Sequence, residues 1–355
     1  MPNEKQKRFL ITGGCGFIGS SLIRNLSKNE NYIIGNIDKL TYSSNLNSLN
    51  DISNKKNYSF FQEDICNKDS IRDIIFSFKP NYIIHLAAET HVDRSIDGPE
   101  VFLNSNIFGT YNLLNSFKNY YDEISNKDKK YFKFLLVSTD EVYGSLGIDQ
   151  DQFTENSPYL PNSPYSASKA SSDHLARAWN STYNLPVLIT NTSNNYGPWQ
   201  FPEKLIPLTI SKCLNNEKIP VFGNGQQIRD WIFVSDHVSG ILSVLENGVI
   251  GEKYNIGSNN EKMNIEVVND ICDFLDKKIP SKNSYSNLIE FVDDRPGHDY
   301  RYALNSNKIQ KIGWKSNYNW SKGLNETIVW YINNQDYLNR DSSMFYSGER
   351  LGSIK

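Results

Sequence analysis

Short apolar runs and helix-spaced stretches alternate along the first half of the chain. Six runs predict buried strands: Arg8–Thr12, Tyr32–Asp38, Phe60–Ile65, Tyr82–Ala88, Phe134–Val137 and Pro186–Thr190. Between them, helices are predicted at Ser20–Lys28, Ile71–Phe78, Asn106–Phe117 and in the stretch that Pro164 opens. Strands that alternate with helices are typical of βαβ units, so the sequence predicts an α/β fold with a doubly wound parallel sheet.

The strict alternation ends near residue 190, and a smaller mixed α/β lobe is predicted in the C-terminal part. Two runs predict strands that return to the main sheet, Ile232–Val234 and Tyr254–Gly257, and two stretches predict closing helices, Val267–Leu275 and Ser321–Ile332. The predicted division is a main domain of residues 1–190 joined by about 231–258, a lobe of residues 191–230 and 259–335, and a tail of residues 336–355.

Composition excludes several classes of protein. The 355 residues include 37 Lys or Arg and 40 Asp or Glu, and a net charge of −3 gives no electrostatic reason to expect nucleic acid or anionic membrane as a partner. No apolar run approaches the ~18 residues that span a bilayer, and the polar stretch Met1–Arg8 is not a signal peptide. The cysteines are scattered without a Cys-x-x-Cys motif, which predicts reduced thiols in the cytoplasm: Cys15, Cys66, Cys213 and Cys272.

A glycine loop joins the first predicted strand to the first helix. Its spacing is Gly13-x-x-Gly16-x-x-Gly19, which lets the backbone approach a pyrophosphate on the helix N-terminus, although an ordinary tight turn is the alternative. Asp38 ends the second strand, 19 residues after Gly19. An acid there accepts hydrogen bonds from both ribose hydroxyls of NAD and repels the extra phosphate of NADP, so NAD is the predicted cofactor.

Candidate acid/base groups follow the fifth strand. The stretch Ser138–Gly144 contains two adjacent carboxylates, Asp140 and Glu141, at a strand end where such folds bind ligands. Tyr165 and Lys169 are four residues apart and share a helix face, so the ammonium is expected to stabilise the phenolate and to lower the pKa of Tyr165. A coincidence on a helix surface is the alternative. Together with the glycine loop, these groups suggest redox chemistry combined with proton transfer.

Three further stretches carry candidate chemistry. The polar residues Glu89–Ser95 follow the fourth strand, where a site role is favoured over a solvated loop. Arg229 lies beside amides and could either pair with Asp230 or clamp a diphosphate, and the charged turn Asp293–Asp299 is too specific in type to be a linker. No His/Cys cluster has metal-ligand spacing and no Gly-x-Ser-x-Gly motif occurs, so neither a metal nor serine-nucleophile hydrolysis is predicted.

These motifs resemble the extended short-chain dehydrogenase/reductase superfamily, in its NAD-dependent epimerase/dehydratase family, and most closely its nucleoside-diphosphate-glucose 4,6-dehydratases. The matching stretches extend from about residue 8 to 335: Thr12–Gly19, Asp38–Tyr42, Leu86–Ser95, Ser138–Gly144, Tyr165–Lys169, Asn194–Pro198, Phe201–Pro207, Gln227–Trp231 and Asp294–Asp299. The glycine loop and the Tyr/Lys pair are shared by the superfamily, whereas the triplet Thr139–Glu141 and the turn Asp294–Asp299 are specific to the dehydratases. Two small residues, Cys15 and Thr90, stand where the family more often has Ala and Ser.

The resemblance implies a Rossmann-type sheet that binds NAD and a lobe that binds a sugar nucleotide. It also implies that a nucleoside-diphosphate glucose, with dTDP-glucose preferred, loses water to give a 4-keto-6-deoxy sugar for deoxysugar synthesis such as that of dTDP-rhamnose. Tyr165, helped by Lys169, would take the C4 hydroxyl proton while hydride passes to NAD and later returns to C6. Glu141 would be the base at C5 and Asp140 the acid at C6, which requires a raised pKa for Asp140.

Alternatives remain open at this point. UDP-glucose or CDP-glucose could replace dTDP-glucose, because no residue code for the base is readable in the second lobe. A sugar-nucleotide 4-epimerase would use Tyr165 and Lys169 but has no need of Asp140 and Glu141. A non-catalytic NAD-binding regulator would have no reason to keep all four residues.

The resemblance also implies a homodimer and a set of site residues. Catalytic roles fall on Thr139, Asp140, Glu141, Tyr165 and Lys169. Cofactor contacts fall on Gly13, Gly16, Phe17, Ile18, Gly19, Asp38, Lys39, Leu40, Thr41, Asp64, Ile65, Leu86, Ala87, Ala88, Thr90, Ser105, Tyr165, Lys169 and Asn195. Substrate contacts fall on Thr90, Thr139, Asn194, Lys204, Leu205, Pro220, Val221, Phe222, Arg229, Asn264, Asp294, Arg295 and His298.

Overall fold

A computed structural model describes residues 6–294 and 297–338 of the chain. Its strands are β1 (Lys7–Thr12), β2 (Tyr32–Asp38), β3 (Tyr58–Gln62), β4 (Tyr82–His85), β5 (Lys133–Thr139), β6 (Val187–Thr192), β7 (Asn194–Tyr196), β8 (Ile219–Phe222), β9 (Ile228–Phe233), β10 (Lys253–Ile256), β11 (Glu261–Met263) and β12 (Ile289–Val292). Its helices are α1 (Phe17–Leu26), α2 (Asn50–Ser53), α3 (Lys68–Phe78), α4 (Val92–Asp97), α5 (Pro99–Phe102), α6 (Gly109–Glu123), α7 (Asn126–Lys129), α8 (Pro164–Tyr183), α9 (Leu205–Leu214), α10 (Val234–Asn247), α11 (Asn264–Lys278), α12 (Asn307–Lys311), α13 (Trp320–Asn333) and α14 (Gln335–Leu338). Short 3₁₀ or π turns occupy Leu46–Leu49, Leu103–Phe108, Asp140–Tyr143 and Tyr285–Leu288.

A seven-stranded sheet in the order β10-β6-β5-β4-β1-β2-β3 forms the centre of the molecule. All neighbouring strands in it are parallel. Because side chains alternate along a strand, Phe9 and Ile11 of β1 face one apolar cluster and Leu10 faces another. The first cluster includes residues of α1 and α10, and the second includes residues of α3, α6 and α8. Helices therefore cover both faces, and the predicted doubly wound parallel sheet is confirmed.

The start of α8 shows how local sequence fixes an element near the site. The Ser163 hydroxyl oxygen accepts a hydrogen bond from the Ser166 amide, and the Ser166 hydroxyl oxygen accepts one from the Ser163 amide, which forms a capping box. Pro164 occupies the first helical position, as its fixed φ favours and as the sequence predicted. This cap sets the helix phase, so that Tyr165 and Lys169 both face inward and are buried.

Two small sheets belong to the second lobe. One is three-stranded in the order β11-β9-β7, and the other pairs β12 with β8. An apolar cluster joins them to helices α9, α11 and α13. The cluster also includes Tyr337 and Leu338, the first part of the predicted tail, while residues 339–355 lie outside the described part. No helix of residues 6–294 and 297–338 has the length and apolar character needed to cross a membrane.

One strand prediction is wrong. The run Ile232–Val234 was expected in the main sheet, but β9 pairs with β7 and β11 instead. The place beside β6 is taken by β10, as predicted for Tyr254–Gly257. The alternation of side chains explains the difference, because Trp231 and Phe233 pack with Tyr196 in the second lobe while Ile232 alone faces the main core.

Candidate active site

A cavity of about 320 Å³ lies where the parallel strands β1, β2, β4, β5 and β6 reach their carboxyl ends. This edge is where open α/β sheets bind ligands. Most of the residues predicted for the cofactor and for catalysis meet in its wall. They are Gly13, Gly16, Phe17, Ile18, Gly19, Asp38, Lys39, Thr41, Ile65, Leu86, Ala87, Ala88, Thr90, Ser105, Thr139, Asp140, Glu141, Tyr165, Lys169 and Asn195. Asn194 and Lys204, which were predicted as substrate contacts, also line the wall.

The glycine loop leaves no room for side chains at two of its positions. Gly13 has φ +73°, and a Cβ on it would lie 2.7 Å from the Ala87 nitrogen. A Cβ on Gly19 would lie 2.2 Å from the Gly13 carbonyl oxygen. Helix α1 begins at Phe17 with Gly16 as N-cap, and no side chain caps it. Its first amides therefore point at the cavity wall without a side-chain acceptor, which suits a pyrophosphate.

Asp38 is held rigidly at the end of β2. One carboxylate oxygen accepts from the Leu40 amide at 2.8 Å and the Ser44 hydroxyl at 2.9 Å, and the other accepts from the Cys15 amide at 2.9 Å. The side chain is buried and lines the cavity. A fixed carboxylate beyond a glycine loop fits the ribose hydroxyls of a dinucleotide, so the residues present fit NAD. Leu40 and Asp64, also predicted for the cofactor, are adjacent to this region but not among the described cavity-lining residues.

Lys169 is fully enclosed and donates a hydrogen bond to the Val137 carbonyl at 2.9 Å. Burial lowers its pKa to about 8, and the Asp173 carboxylate, one helical turn further on α8, opposes that shift. Asp173 is itself buried and accepts hydrogen bonds from the Tyr159 hydroxyl at 2.8 Å and the Asn191 amide at 3.0 Å. Lys169 therefore keeps a cationic form at neutral pH with the help of a fixed carboxylate.

The expected effect of Lys169 on Tyr165 is not what the structure shows. Burial raises the pKa of Tyr165 well above its ordinary value, Glu141 raises it further, and a hydrogen bond with Thr139 opposes the rise. The prediction of a lowered pKa is wrong for the protein alone because desolvation and the nearby carboxylates outweigh the hydrogen bond with Thr139. A phenolate here requires positive charge brought close to the ring beyond what the Lys169 ammonium, held by the Val137 carbonyl, supplies.

Asp140 and Glu141 occupy different environments although they are adjacent. They open a 3₁₀ turn that Thr139 caps, and the turn ends at Gly144 with φ +87°. Asp140 is only 2% exposed, whereas Glu141 is half-buried. Burial raises the pKa of Asp140 well above its usual range, and the Glu141 carboxylate adds to the rise. The predicted direction of the Asp140 pKa is therefore confirmed, and burial is its main cause.

The two oxygens of Asp140 also differ. Oδ1 accepts a hydrogen bond from the Thr139 hydroxyl at 3.2 Å. Oδ2 is buried and finds no hydrogen-bond partner within residues 6–294 and 297–338. A buried polar atom without a partner is costly and marks a place where a ligand group is expected. Thr139 Oγ1 further accepts from the Glu141 amide at 3.3 Å, which orients its hydroxyl toward Asp140.

Asn194 and Lys204 of the second lobe line the cavity, whereas the other described residues predicted there as substrate contacts do not. Asp294 accepts from the Gln227 side chain at 2.9 Å and contacts the His298 ring at 2.6 Å. The Arg229 guanidinium donates to the carbonyls of Ile228 and Asp299 and lies 4.3 Å from the centre of the Tyr302 ring. None of the following described residues lines the cavity: Leu205, Pro220, Val221, Phe222, Arg229, Asn264, Asp294 and His298. Arg295 lies outside the described residues.

Some cavity residues were missed by the sequence predictions. They are Ile37, Ser43, Ser44, Glu63, Val137, Thr192, Ser193 and Gln200. Glu89, Ser138, Phe201 and Glu203 also line the cavity and lie in stretches that the sequence singled out, but they were not named as site residues. Position at a strand end could have identified Ser138 and Thr192, because β5 and β6 lie next to each other in the sheet. Gln200 carries no such local signal, since it follows a stretch of turn-forming residues.

Comparison with known proteins agrees with this geometry. The chain matches the family model described as GDP-mannose 4,6 dehydratase over residues 10–327. It is 48% identical to a dTDP-glucose 4,6-dehydratase of Neisseria meningitidis, with 98% of this chain and 100% of the relative covered.

Two solved structures are also similar. A dTDP-glucose 4,6-dehydratase of Bacillus anthracis in complex with NAD has a TM-score of 0.83 and 43% identity, with 94% of this chain and 99% of that chain covered. The dehydratase DesIV of Streptomyces venezuelae, with NAD and dTDP bound, has a TM-score of 0.85 and 38% identity, with 93% and 98% covered. The match to a family model over residues 10–327 and the identity with full-length relatives both fit the residues found at the strand ends. The chain therefore belongs to the dTDP-glucose 4,6-dehydratase family.

Proposed function

We propose that this protein is an NAD-dependent lyase that converts dTDP-glucose into dTDP-4-keto-6-deoxyglucose and water. The observation that carries the proposal is the buried Asp140 beside Glu141, with burial raising its pKa, in the cavity that also holds Tyr165 and Lys169. An oxidation alone needs Tyr165 and Lys169, whereas loss of the C6 hydroxyl needs an acid in addition. Family membership and the dTDP-glucose names of full-length relatives support the same substrate.

The glycine loop, Asp38 and the Thr90 region are the residues that would hold NAD. When bound, NAD supplies the hydride acceptor for C4 and the hydride donor for C6. Tyr165 takes the C4 hydroxyl proton once positive charge near its ring lowers its pKa. Lys169, a buried cation, supplies part of that charge, and the oxidised nicotinamide of NAD would supply the rest. Thr139, within hydrogen-bonding reach of Tyr165, orients the hydroxyl.

Elimination is divided between the two carboxyl groups. The C4 ketone acidifies the C5 proton, so the more exposed carboxylate of Glu141 is a sufficient base. Asp140 Oδ2, which has no partner among the described residues, gives its proton to the C6 hydroxyl as that group leaves as water. The raised pKa of Asp140 keeps this proton in place until elimination.

Proton balance assigns a second role to Thr139. After one turnover Tyr165 holds the proton of the C4 hydroxyl, and Asp140 lacks the proton that it gave to water. The next turnover requires one proton to pass from Tyr165 to Asp140. The Thr139 hydroxyl lies between them, 3.2 Å from Asp140 Oδ1 and within hydrogen-bonding reach of Tyr165, so it can accept from one and donate to the other.

We also propose a cytoplasmic homodimer. Large apolar side chains are exposed on adjacent elements: Phe108 is 59% exposed, Leu103 43% and Tyr183 45%. Tyr111 of α6 lies 5.8 Å from Trp179 of α8, so these residues form one continuous patch. A second copy of the chain would bury this patch, and sedimentation at twice the monomer mass is the expected result. All four cysteines are free thiols, which supports the cytoplasm.

A single assay tests the proposed reaction. Purified protein receives dTDP-glucose without added NAD, and the alkali-induced absorbance of the 4-keto-6-deoxy sugar is followed. Product formation is expected, because the cofactor ends each turnover in its starting form and should stay bound. Product from UDP-glucose or CDP-glucose alone would change the substrate and keep the mechanism. Formation of the galactose epimer instead would make the protein a 4-epimerase and overturn the roles of Asp140 and Glu141.

A further inference from the structure

Glu203 lies where three segments of the chain meet at the wall of the cavity. It directly precedes α9 of the second lobe, and its side chain is only 1% exposed. The loop after β2 brings Tyr42 to it, and the segment after β4 brings His91 and Arg94. These residues come from both lobes of the molecule, so their contacts fasten the second lobe to the main sheet. We call Tyr42, His91, Arg94 and Glu203 the clasp.

The clasp combines polar contacts to the Glu203 carboxylate with packing of aromatic rings. Arg94 Nη2 lies 3.3 Å from Glu203 Oε2, while the Tyr42 hydroxyl and His91 Nε2 lie 3.5 and 3.6 Å from Oε1. The Arg94 guanidinium also lies 4.1 Å from the centre of the Tyr42 ring. The Tyr42 ring in turn meets Phe201 edge-on at 5.4 Å.

A buried carboxylate needs such partners. Burial raises the pKa of Glu203, and Lys204 and Arg94 oppose the rise. An isolated buried charge would be strongly unfavourable, so Glu203 and Arg94 separate only at a considerable cost. The clasp therefore has a defined closed geometry rather than a loose surface contact.

The cavity wall runs directly along the clasp. Thr41 and Ser43 flank Tyr42 and both line the cavity, as do Phe201, Glu203 and Lys204 on the other side. The same cavity contains Gly16, Asp38 and the other residues that fit a dinucleotide. Opening the clasp would part the loop after β2 from the second lobe and thereby open the wall beside Asp38.

We propose that Glu203 is a positioning residue that keeps the cofactor bound throughout a turnover. The inference rests on the proposed function, in which the hydride removed from C4 must be kept until C6 is reduced. A cofactor that left midway would strand the 4-keto sugar with its C6 hydroxyl unreduced. The clasp lowers the rate of that loss because the cofactor can leave only after Arg94 and Glu203 separate.

The test measures NAD dissociation from the intact protein. Glu203→Gln keeps the shape of the side chain and removes its charge, so the dissociation rate of NAD should rise about tenfold or more. Arg94→Lys keeps the charge but loses the stacking on Tyr42, and a smaller increase is expected. The double variant should be no faster than Glu203→Gln, because both changes open one contact. Glu217→Gln breaks the exposed ion pair with Lys212 and should leave the rate unchanged.

An unchanged dissociation rate in both Glu203→Gln and Arg94→Lys, with an unchanged melting temperature, would overturn the inference. A raised KM for the sugar nucleotide without faster NAD loss would also overturn it and make Glu203 a substrate contact. If Glu203→Gln does not fold, the NAD dissociation rate of Arg94→Lys alone tests the inference. Retained NAD without any dehydratase activity in the unchanged protein would reject the proposed function and leave the clasp intact, so the two failures are distinguishable.

Discussion

Two carboxylates show how differently the two lobes hold their charged groups. Asp140, at the end of β5, is 2% exposed, and one of its oxygens has no partner within the described residues. Asp294, in the second lobe, has a side chain 39% exposed and engages both Gln227 and His298. The first keeps an oxygen available to a ligand, and the second holds two neighbouring side chains in place.

The difference follows from how each region is built. The main sheet brings the ends of β1, β2, β4, β5 and β6 to one edge, so polar residues placed there necessarily converge. The second lobe assembles its group from β8, β9, α11 and the turn after β12. The spacing of these elements along the chain does not reveal which of their residues meet. We therefore expect changes at the sheet edge to alter chemistry and changes in the second lobe to alter binding.

The largest effect is expected from Asp140→Asn. The amide keeps the size of the side chain but cannot give the C6 hydroxyl a proton, so elimination should slow by about 10²- to 10⁴-fold. Oxidation at C4 should slow far less, because Tyr165 and Lys169 remain. Single-turnover kinetics that follow reduced nicotinamide and 4-keto-6-deoxy product separately would measure both steps.

Asp173→Asn is the matched control for that experiment. Asp173 is as buried as Asp140 but contacts Tyr159 and Asn191. Its replacement should spare elimination relative to oxidation. Equal slowing of both steps in Asp140→Asn would contradict the role of Asp140 as the acid.

The comparison also shows what can be learned from sequence. Three local patterns were readable in the sequence: the glycine spacing, Asp38 at a strand end, and the four-residue spacing of Tyr165 and Lys169. The sheet brings the residues of all three into one cavity. The fold was predictable for the same reason, since alternating apolar strands and helices specify a parallel sheet.

Non-local packing was not predictable. Strand β9 has an apolar run like those of the main sheet, yet its Trp231 and Phe233 are accommodated only by aromatic partners such as Tyr196 and Tyr318. Glu203 could not be identified because its three partners come from segments more than 100 residues earlier in the chain. The pKa of Tyr165 was mispredicted since burial, which the spacing of Tyr165 and Lys169 does not report, is its largest cause.

A smaller effect is expected from Asp173→Asn on the pH dependence of C4 oxidation. Burial lowers the pKa of Lys169 to about 8 and Asp173 raises it, so loss of the carboxylate should lower that pKa further. Lys169 would then lose its proton at lower pH, and the alkaline decline of C4 oxidation should move toward neutral pH. The single-turnover rate of oxidation, measured from about pH 6 to about pH 10 so that the range includes the pKa of Lys169, would show this shift.

The control for the pH profile is Glu155→Gln. Glu155 lies near Lys253 and the Asn255 amide rather than near Lys169, so its loss should leave the alkaline decline in place. A profile that is identical in Asp173→Asn and the unchanged protein would mean that Lys169 does not govern the alkaline side.

The smallest effect is expected from His298→Ala in the second lobe. The side chain of His298 is 7% exposed and contacts Asp294, and both residues belong to the turn that resembles the substrate-binding turn of the dehydratases. If this group binds the sugar nucleotide, losing the ring should raise KM for dTDP-glucose by about tenfold, the equivalent of one hydrogen bond of ordinary strength. The single-turnover rates and the NAD content should not change, because neither the glycine loop nor Asp140 is touched.

His174→Ala, which changes an exposed residue of α8, is the control and should leave KM unaltered. A fall in the oxidation or elimination rate at saturating substrate would instead place His298 with the chemistry, and the division between a reactive sheet edge and a binding lobe would no longer hold.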